Sequence, residues 1–278
     1  MTNLLLEPRE FRLLEGLRLN PRKRFAGRVR GERMTQTKGV SIEFADYREY
    51  AEGDDLRHLD WNVLARLGTP VTKTYRDEED LAVHLLIDGS ASMSFGEPTK
   101  WETACALGAA LGFAALTSGD AVFPRLLGHR QEPMGALRGR SGFPRLAAWA
   151  TAAKPEGANA LDTELRAFAA SGARTGLVVL LTDALHPSAP QALRILAGRG
   201  HEVWLVQVLS DTEIDPDLEG DLRLIDAENS KTAEVTINSF TLTDYRQNLL
   251  AHNQALSDEA LRTGGKYALV VAGTPLDK

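Results

Sequence analysis

The chain has 278 residues, 43% hydrophobic, 25% charged and 6% aromatic, which fits a folded globular protein and excludes a disordered or collagen-like one. A formal net charge of −6 disfavours a globally basic nucleic-acid binder. The single cysteine, Cys105, excludes an intramolecular disulfide and any CxxC metal motif.

Residues 1–80 carry 15 Lys/Arg and 15 Asp/Glu. The charge is split locally: Arg22-Lys23-Arg24, Arg28, Arg30 and Arg33 form a basic stretch, whereas the segment from Glu43 to Asp60 is mostly acidic. The remaining residues are rich in Ala, Leu and Gly, so composition places a boundary at Asp77-Glu78-Glu79-Asp80 and divides the chain into 1–80 and 81–278. The N-terminus has a three-leucine apolar run and no basic region, so no signal peptide is expected. No segment approaches the roughly 18 apolar residues of a membrane span. The expectation is a soluble, cytoplasmic protein.

In the first part, Gly53-Asp54 reads as a turn. Asp54 or Asp55 is expected to cap a helix whose apolar positions are 56, 59, 63, 64 and 67, with Gly68 as its stop. From residue 81 short apolar runs alternate with amphipathic ones. Residues 81–87 read as a buried strand ending at Asp88. Helical spacing follows over 98–117, on a face of mostly Ala, Gly and Cys that should approach a sheet closely. A strand is predicted to start at 121–123, and helices over 146–151 and 161–168. A second buried strand, 176–181, leads to Thr182-Asp183. Then come a helix over 187–198, a strand over 202–208, a helix from Thr243 to about Arg262 stopped by Gly264-Gly265, and a strand over 267–271. This alternation predicts an α/β fold with a doubly wound, mainly parallel sheet, Rossmann-type in its winding. A small N-terminal α+β segment is expected to pack on it. Right-handed crossovers would bring the loops after 87 and 181 to one carboxyl-terminal edge.

The chemistry-bearing residues gather at that edge. Asp88-Gly89-Ser90-Ala91-Ser92 is a DxSxS pattern, and Asp183 ends the later strand. Two hydroxyls two residues apart can present oxygens to one point, and two strand-end carboxylates can balance a dication. Those residue types suit Mg²⁺ or Mn²⁺, which prefer oxygen ligands and keep several waters. The competing reading is a helix-leading loop in which Ser and Asp merely make turns.

DxSxS after one buried strand, with Thr-Asp after a later one, resembles the metal-ion-dependent adhesion site of von Willebrand factor A domains. The resemblance implies Ser90 and Ser92 as direct ligands and Asp88 and Asp183 as water-mediated ones. The family's threonine ligand has Asn159 in its place, within Gly157-Ala158-Asn159-Ala160-Leu161. Asn159 is either a neutral oxygen ligand or a helix cap, and the departure implies a weaker ion site.

A second likeness covers about 38–93: Gly39 to Phe44, Asp46-Tyr47-Arg48-Glu49-Tyr50, Gly53-Asp54-Asp55-Leu56-Arg57, Asp60-Trp61 and Ala65-Arg66. It resumes from Tyr245-Arg246 to Tyr267. This run resembles the bacterial domain of unknown function 58 (DUF58) family, in which it precedes a von Willebrand A-like domain. The resemblance implies a non-enzymatic, metal-dependent protein-binding module. Its partner would supply a carboxylate to the metal and would be a MoxR-type AAA+ ATPase or its client, in complex maturation.

The same run has a structural reading, with Trp61 as a core anchor and Arg57 or Arg66 in buried ion pairs with Asp54, Asp55 or Asp60. His84 is expected to be a satisfied core histidine and Cys105 a packing residue. An enzymatic alternative makes Asp88 the nucleophile of a Mg²⁺-dependent phosphohydrolase or phosphotransferase. Against it, Ser90 stands where a second aspartate is needed, and there is no P-loop. Anion or nucleic-acid binding through residues 22–33 is the third class.

Overall fold

The computed structural model describes residues 6–23, 25, 42–51, 54–77, 80–128, 134–157, 161–227 and 231–276. In chain order the elements are α1 (Pro8–Leu14), β1 (Ile42–Glu49), α2 (Trp61–Leu67), β2 (Val71–Asp77), β3 (Ala82–Asp88), α3 (Lys100–Thr117), β4 (Ala121–Leu127) and β5 (Leu137–Arg138). They continue with α4 (Phe143–Ala152), α5 (Leu161–Ala170), β6 (Leu177–Thr182), α6 (Ala189–Gly198), β7 (Glu202–Leu209), α7 (Asp211–Ile214), β8 (Gly220–Ile225), β9 (Thr232–Ile237), α8 (Ser239–Arg262) and β10 (Lys266–Val271).

Two compact units result: residues 1–25 with 81–278, and residues 26–80. Composition grouped the first 25 residues with the charged segment, but they pack as part of the larger unit. Leu6 and Leu14 are buried in its core. Phe11 meets Phe113 and Phe143 edge-on, at centroid distances of 4.9 and 5.2 Å. Charge content sets how a segment is solvated, not what three apolar side chains pack against.

The larger unit is built on a six-stranded sheet in the order β10-β7-β6-β3-β4-β5. Its strands are parallel except for β5, which is antiparallel to β4. The expected α/β, mainly parallel sheet is thus present, as a mixed one. The central strands β3 and β6 are buried along their whole length, which is why each is a continuous apolar run without alternation. From β3 the chain proceeds outward to β4 and β5 on one side. It then crosses back to place β6, β7 and β10 on the other. The order therefore reverses between β3 and β6, and the carboxyl ends of those strands open on a crevice.

The small-residue face of α3 lies close to the sheet as expected: a Cβ on Gly108 would stand 3.0 Å from Ile87 Cδ1. Its start differs from the predicted 98. Thr99 is the N-cap, locked with Glu102 in a capping box, so Pro98 stays outside. Likewise α8 begins before Thr243, because Asn238 accepts from Phe240 N and Thr241 N. The hairpin β8–β9 was not anticipated, although Thr232–Ile237 alternates polar and apolar residues; most of its residues are exposed.

In the smaller unit β1 and β2 pair antiparallel. Asp60, not Asp54 or Asp55, caps α2 by accepting from Asn62 N and Val63 N. Asp55 caps a separate 3₁₀ turn over Leu56–His58. Gly68 ends α2 with φ +69°, a left-handed conformation that suits glycine. Two expectations are corrected here. Trp61 is 60% exposed and is no core anchor, because the first helical position after the cap faces outward. The ion pairs Arg57–Asp55 and Arg48–Asp54 form at the surface and not in a buried network.

Candidate functional site

The loop after β3 places Asp88, Ser90 and Ser92 at the crevice, and the loop after β6 brings Asp183 beside them. Asp88 is 4% exposed. Its Oδ1 accepts from Ser90 N at 3.0 Å, and its Oδ2 accepts from Thr182 Oγ1 at 2.6 Å. Thr182 in turn accepts from Ala184 N at 3.1 Å. Asp88 thus holds the two loops together.

A chain of hydroxyls runs from there. Ser92 Oγ donates to Asp183 Oδ2 at 2.8 Å. Its one proton being used, Ser90 Oγ donates to Ser92 Oγ at 3.0 Å. The same Asp183 Oδ2 accepts from Lys100 Nζ at 2.7 Å, and Lys100 also donates to Glu213 Oε1 at 2.7 Å. Lys100 is fully buried. Burial alone would lower its pKa, but the two carboxylates outweigh that and hold the ammonium above the ordinary lysine value.

The backbone at Asp183 is held from below. Gln207, fully buried on β7, donates from Nε2 to the Asp183 carbonyl at 2.9 Å and accepts from Tyr267 OH at 2.7 Å. Glu213, on α7, has its carbonyl bound by Tyr245 OH at 2.6 Å. The two tyrosines of the C-terminal likeness therefore support the backbone of two acidic residues of the site, Tyr245 directly at Glu213 and Tyr267 through Gln207 at Asp183. Ala184 adopts φ +49°, a strained left-handed turn for a residue with a Cβ, and its carbonyl accepts from His252 Nε2 at 2.7 Å.

Asp88, Ser90, Ser92, Thr182, Asp183 and Glu213 floor a cleft of about 380 Å³ walled by Leu161, Leu185, His186 and, from the loop after β8, Asp226. Four of the five residues expected at the site, Asp88, Ser90, Ser92 and Asp183, meet here. Asn159 lies outside the described residues. Sequence reasoning missed Lys100 and Glu213. Lys100 opens a helix without a motif of its own, and Glu213 closes a Ser210-x-x-Glu213 capping box at a four-residue helix, which signals a helix start and not a cation partner. Only the fold brings 100, 183 and 213 together.

The donor set can be tested against a small dication. Metal–oxygen bonds of about 2.0–2.1 Å at right angles put neighbouring ligand oxygens roughly 2.9 Å apart. The Ser90 Oγ–Ser92 Oγ spacing of 3.0 Å matches that edge length, and Asp183 Oδ2, hydrogen-bonded to Ser92 Oγ at 2.8 Å, stands within reach of the ion's hydroxyl and water ligands. Among the described residues no group of three His, Cys, Asp or Glu side chains could hold a metal. A cation here would accordingly rest on hydroxyls.

The other sequence candidates fall elsewhere. Of the basic stretch 22–33, only 22, 23 and 25 are described. Lys23 is already engaged, its Nζ donating to the His201 carbonyl and its backbone N to Glu202 Oε2, both at 2.8 Å. His84 is buried and donates to the Arg174 carbonyl at 2.7 Å. Cys105 is buried, and burial pushes its thiol up to about 12, far from a reactive thiolate. Among the described residues no helix is long and apolar enough to cross a membrane.

The family model described as "Protein of unknown function DUF58" matches residues 46–255. The uncharacterized protein Rv1480 of Mycobacterium tuberculosis (strain ATCC 25618 / H37Rv) is 29% identical over 262 residues, covering 88% of this chain and 80% of its own. The uncharacterized protein Mb1516 of Mycobacterium bovis shows the same 29% identity and coverage. Among solved structures, the conserved hypothetical protein BatB from Bacteroides thetaiotaomicron aligns with a TM-score of 0.41 at 13% identity, over 69% of this chain and 90% of that one. An aerotolerance-related membrane protein from Bacteroides fragilis aligns with a TM-score of 0.41 at 17% identity, over 68% and 91%.

Proposed function

The chain belongs to the DUF58 family, and we propose that it is a metal-dependent protein-binding module with no catalytic step of its own. The observation that carries this reading is the run of three oxygens, Ser90 Oγ, Ser92 Oγ and Asp183 Oδ2, spaced at 3.0 and 2.8 Å on the floor of an open cleft. In this reading Ser90 and Ser92 hold a Mg²⁺ or Mn²⁺ ion. Asp88 and Asp183 hold its waters and balance its charge, and Asn159 is a further candidate oxygen. A dication resting on neutral hydroxyls retains charge for an incoming carboxylate.

The partner would present that Asp or Glu into the cleft. By the resemblance, it is a MoxR-type AAA+ ATPase or one of its clients, and the module acts as an adaptor in complex maturation. The hydrolytic alternative is less well supported. Both Asp88 oxygens accept hydrogen bonds and the side chain is buried, a poor arrangement for a nucleophile that must reach a phosphorus atom.

The test is capture of partners from the native host with Mg²⁺ or with chelator, using the wild type and a Ser90→Ala/Ser92→Ala variant. Partner capture lost in chelator and in the variant is expected. Capture indifferent to both would overturn the reading.

A further inference from the structure

Both peptide planes that flank Ala184 are pinned by side chains. The plane before it is held twice: Gln207 Nε2 donates to the Asp183 carbonyl at 2.9 Å, and Ala184 N donates to Thr182 Oγ1 at 3.1 Å. The plane after it is held from α8, where His252 Nε2 donates to the Ala184 carbonyl at 2.7 Å. A carbonyl oxygen can only accept, so Nε2 carries a proton of that imidazole. Two fixed planes dictate φ and ψ of the residue between them, and Ala184 is held at φ +49°. An L-residue avoids that region because its Cβ crowds the following carbonyl. The methyl group is nevertheless used: Ala184 is 1% exposed and belongs to the apolar cluster of Leu161, Leu193 and Leu256.

We propose, on the metal-binding reading above, that His252 is a positioning residue for the cation site, acting through this turn on Asp183. The carbonyl and the N–H of a trans peptide point opposite ways. With its oxygen on His252, the plane after Ala184 aims Leu185 N back at Asp183 Oδ1, 3.5 Å away. Turned over, the same plane would present an oxygen to that carboxylate and drive it from its place beside Ser92, whose Oγ it receives on Oδ2. Strain of this kind persists only where the surroundings over-determine it, and the supports here are firmly seated. Leu256, one turn beyond His252, and Ala260 are buried, and Glu259 ties α8 to Arg194 of α6 at 2.8 Å. Gln207 is itself fixed by Tyr267 OH at 2.7 Å. A helix that supplies no ligand thus sets the aim of the carboxylate at the cleft floor.

On the full chain, Mn²⁺ affinity is read by calorimetry or by the loss of free-ion electron spin resonance signal. Hydrogen exchange at the Ala184 amide is read without metal. His252 is only half-buried, so leucine is accommodated in its place. His252→Leu is expected to weaken Mn²⁺ binding roughly fivefold to tenfold, the net worth of one hydrogen bond, and to speed exchange at Ala184. His252→Gln, whose amide nitrogen reaches about as far as Nε2, should stay near wild type in both. The deciding protein is His252→Leu/Ala184→Gly. Glycine takes positive φ at no steric cost and needs no clamp, so most of the lost affinity should return although α8 still lacks its donor. A packing role for His252 would not be rescued from position 184. Mn²⁺ affinity of His252→Leu equal to wild type, or a double variant as weak as the single one, would overturn the role of His252 while leaving the metal reading intact. Absence of Mn²⁺ binding in every protein, wild type included, would overturn both.

Discussion

Thr182 Oγ1 donates to Asp88 Oδ2 at 2.6 Å between the carboxyl ends of neighbouring parallel strands, with both side chains buried. The bond ties the DxSxS loop to the Thr-Asp loop, and the same hydroxyl receives Ala184 N, so one side chain sets the spacing of Ser92 and Asp183.

Thr182→Val keeps the shape and removes the hydroxyl. It leaves a buried carboxylate oxygen short of a donor and the Ala184 N–H without an acceptor. A hydrogen bond to a charged group is worth about 1.5–3 kcal/mol, so a loss of about 2–3 kcal/mol in urea unfolding is expected. If Thr182→Val matched the wild type in stability, the pairing would not be a structural tie.

A pH dependence follows from His84. Burial first, opposed by its bond to the Arg174 carbonyl and aided by nearby His201, Arg125 and Arg174, pushes its pKa down to about 4. An exposed histidine titrates near 6.5. Between those values the unfolded chain takes up a proton that the folded chain refuses. The stabilisation is therefore complete above about pH 6.5 and is lost as pH falls toward 4. His201, also lowered by burial, acts with the same sign. Unfolding free energy should fall by roughly 2–3 kcal/mol from His84 alone between pH 7 and 4.5. His84→Leu should start lower, having lost the Arg174 bond, and decline less steeply; a slope equal to wild type would refute the assignment.

Close backbone approach gives the third prediction. A Cβ on Gly265 would lie 2.0 Å from the Val203 carbonyl oxygen and 3.3 Å from that of Ala260. Backbone cannot swing aside as a flexible side chain does, so α8 and β10 would have to separate from β7. Gly265→Ala is expected to cost more than about 3 kcal/mol, in the upper range for single substitutions. Thermal melts of Gly265→Ala beside Gly198→Ala, where a Cβ meets nothing within 4 Å, would check it. Equal melting temperatures would show that the helix can shift freely.

Much of the larger unit was legible in the primary structure because buried parallel strands and amphipathic helices differ in period and length. Residues 81–87, 176–181 and 202–208 read as strands on that ground and are strands. The smaller unit was less legible: its helix cap proved to be Asp60 because three aspartates competed for the role. The exposed hairpin β8–β9 was overlooked although Thr232–Ile237 alternates polar and apolar side chains, the period of a strand.

The amino-acid sequence by itself determined the mainly parallel α/β sheet and the placing of Asp88, Ser90, Ser92 and Asp183 at strand ends. Local periodicity and turn chemistry suffice for that. Composition also located the single cysteine and the charged segment before residue 80. What only the tertiary structure decided is who shares that edge. Lys100 and Glu213, separated by 113 positions, meet at 2.7 Å because α3 and α7 both begin at the carboxyl-terminal edge of the sheet, after β3 and β7, with β6 between those strands. An ion pair between distant positions leaves no periodic trace. The cluster read from sequence as acidic and hydroxylic therefore contains a buried cation, and the electrostatics of the cleft follow from that cation.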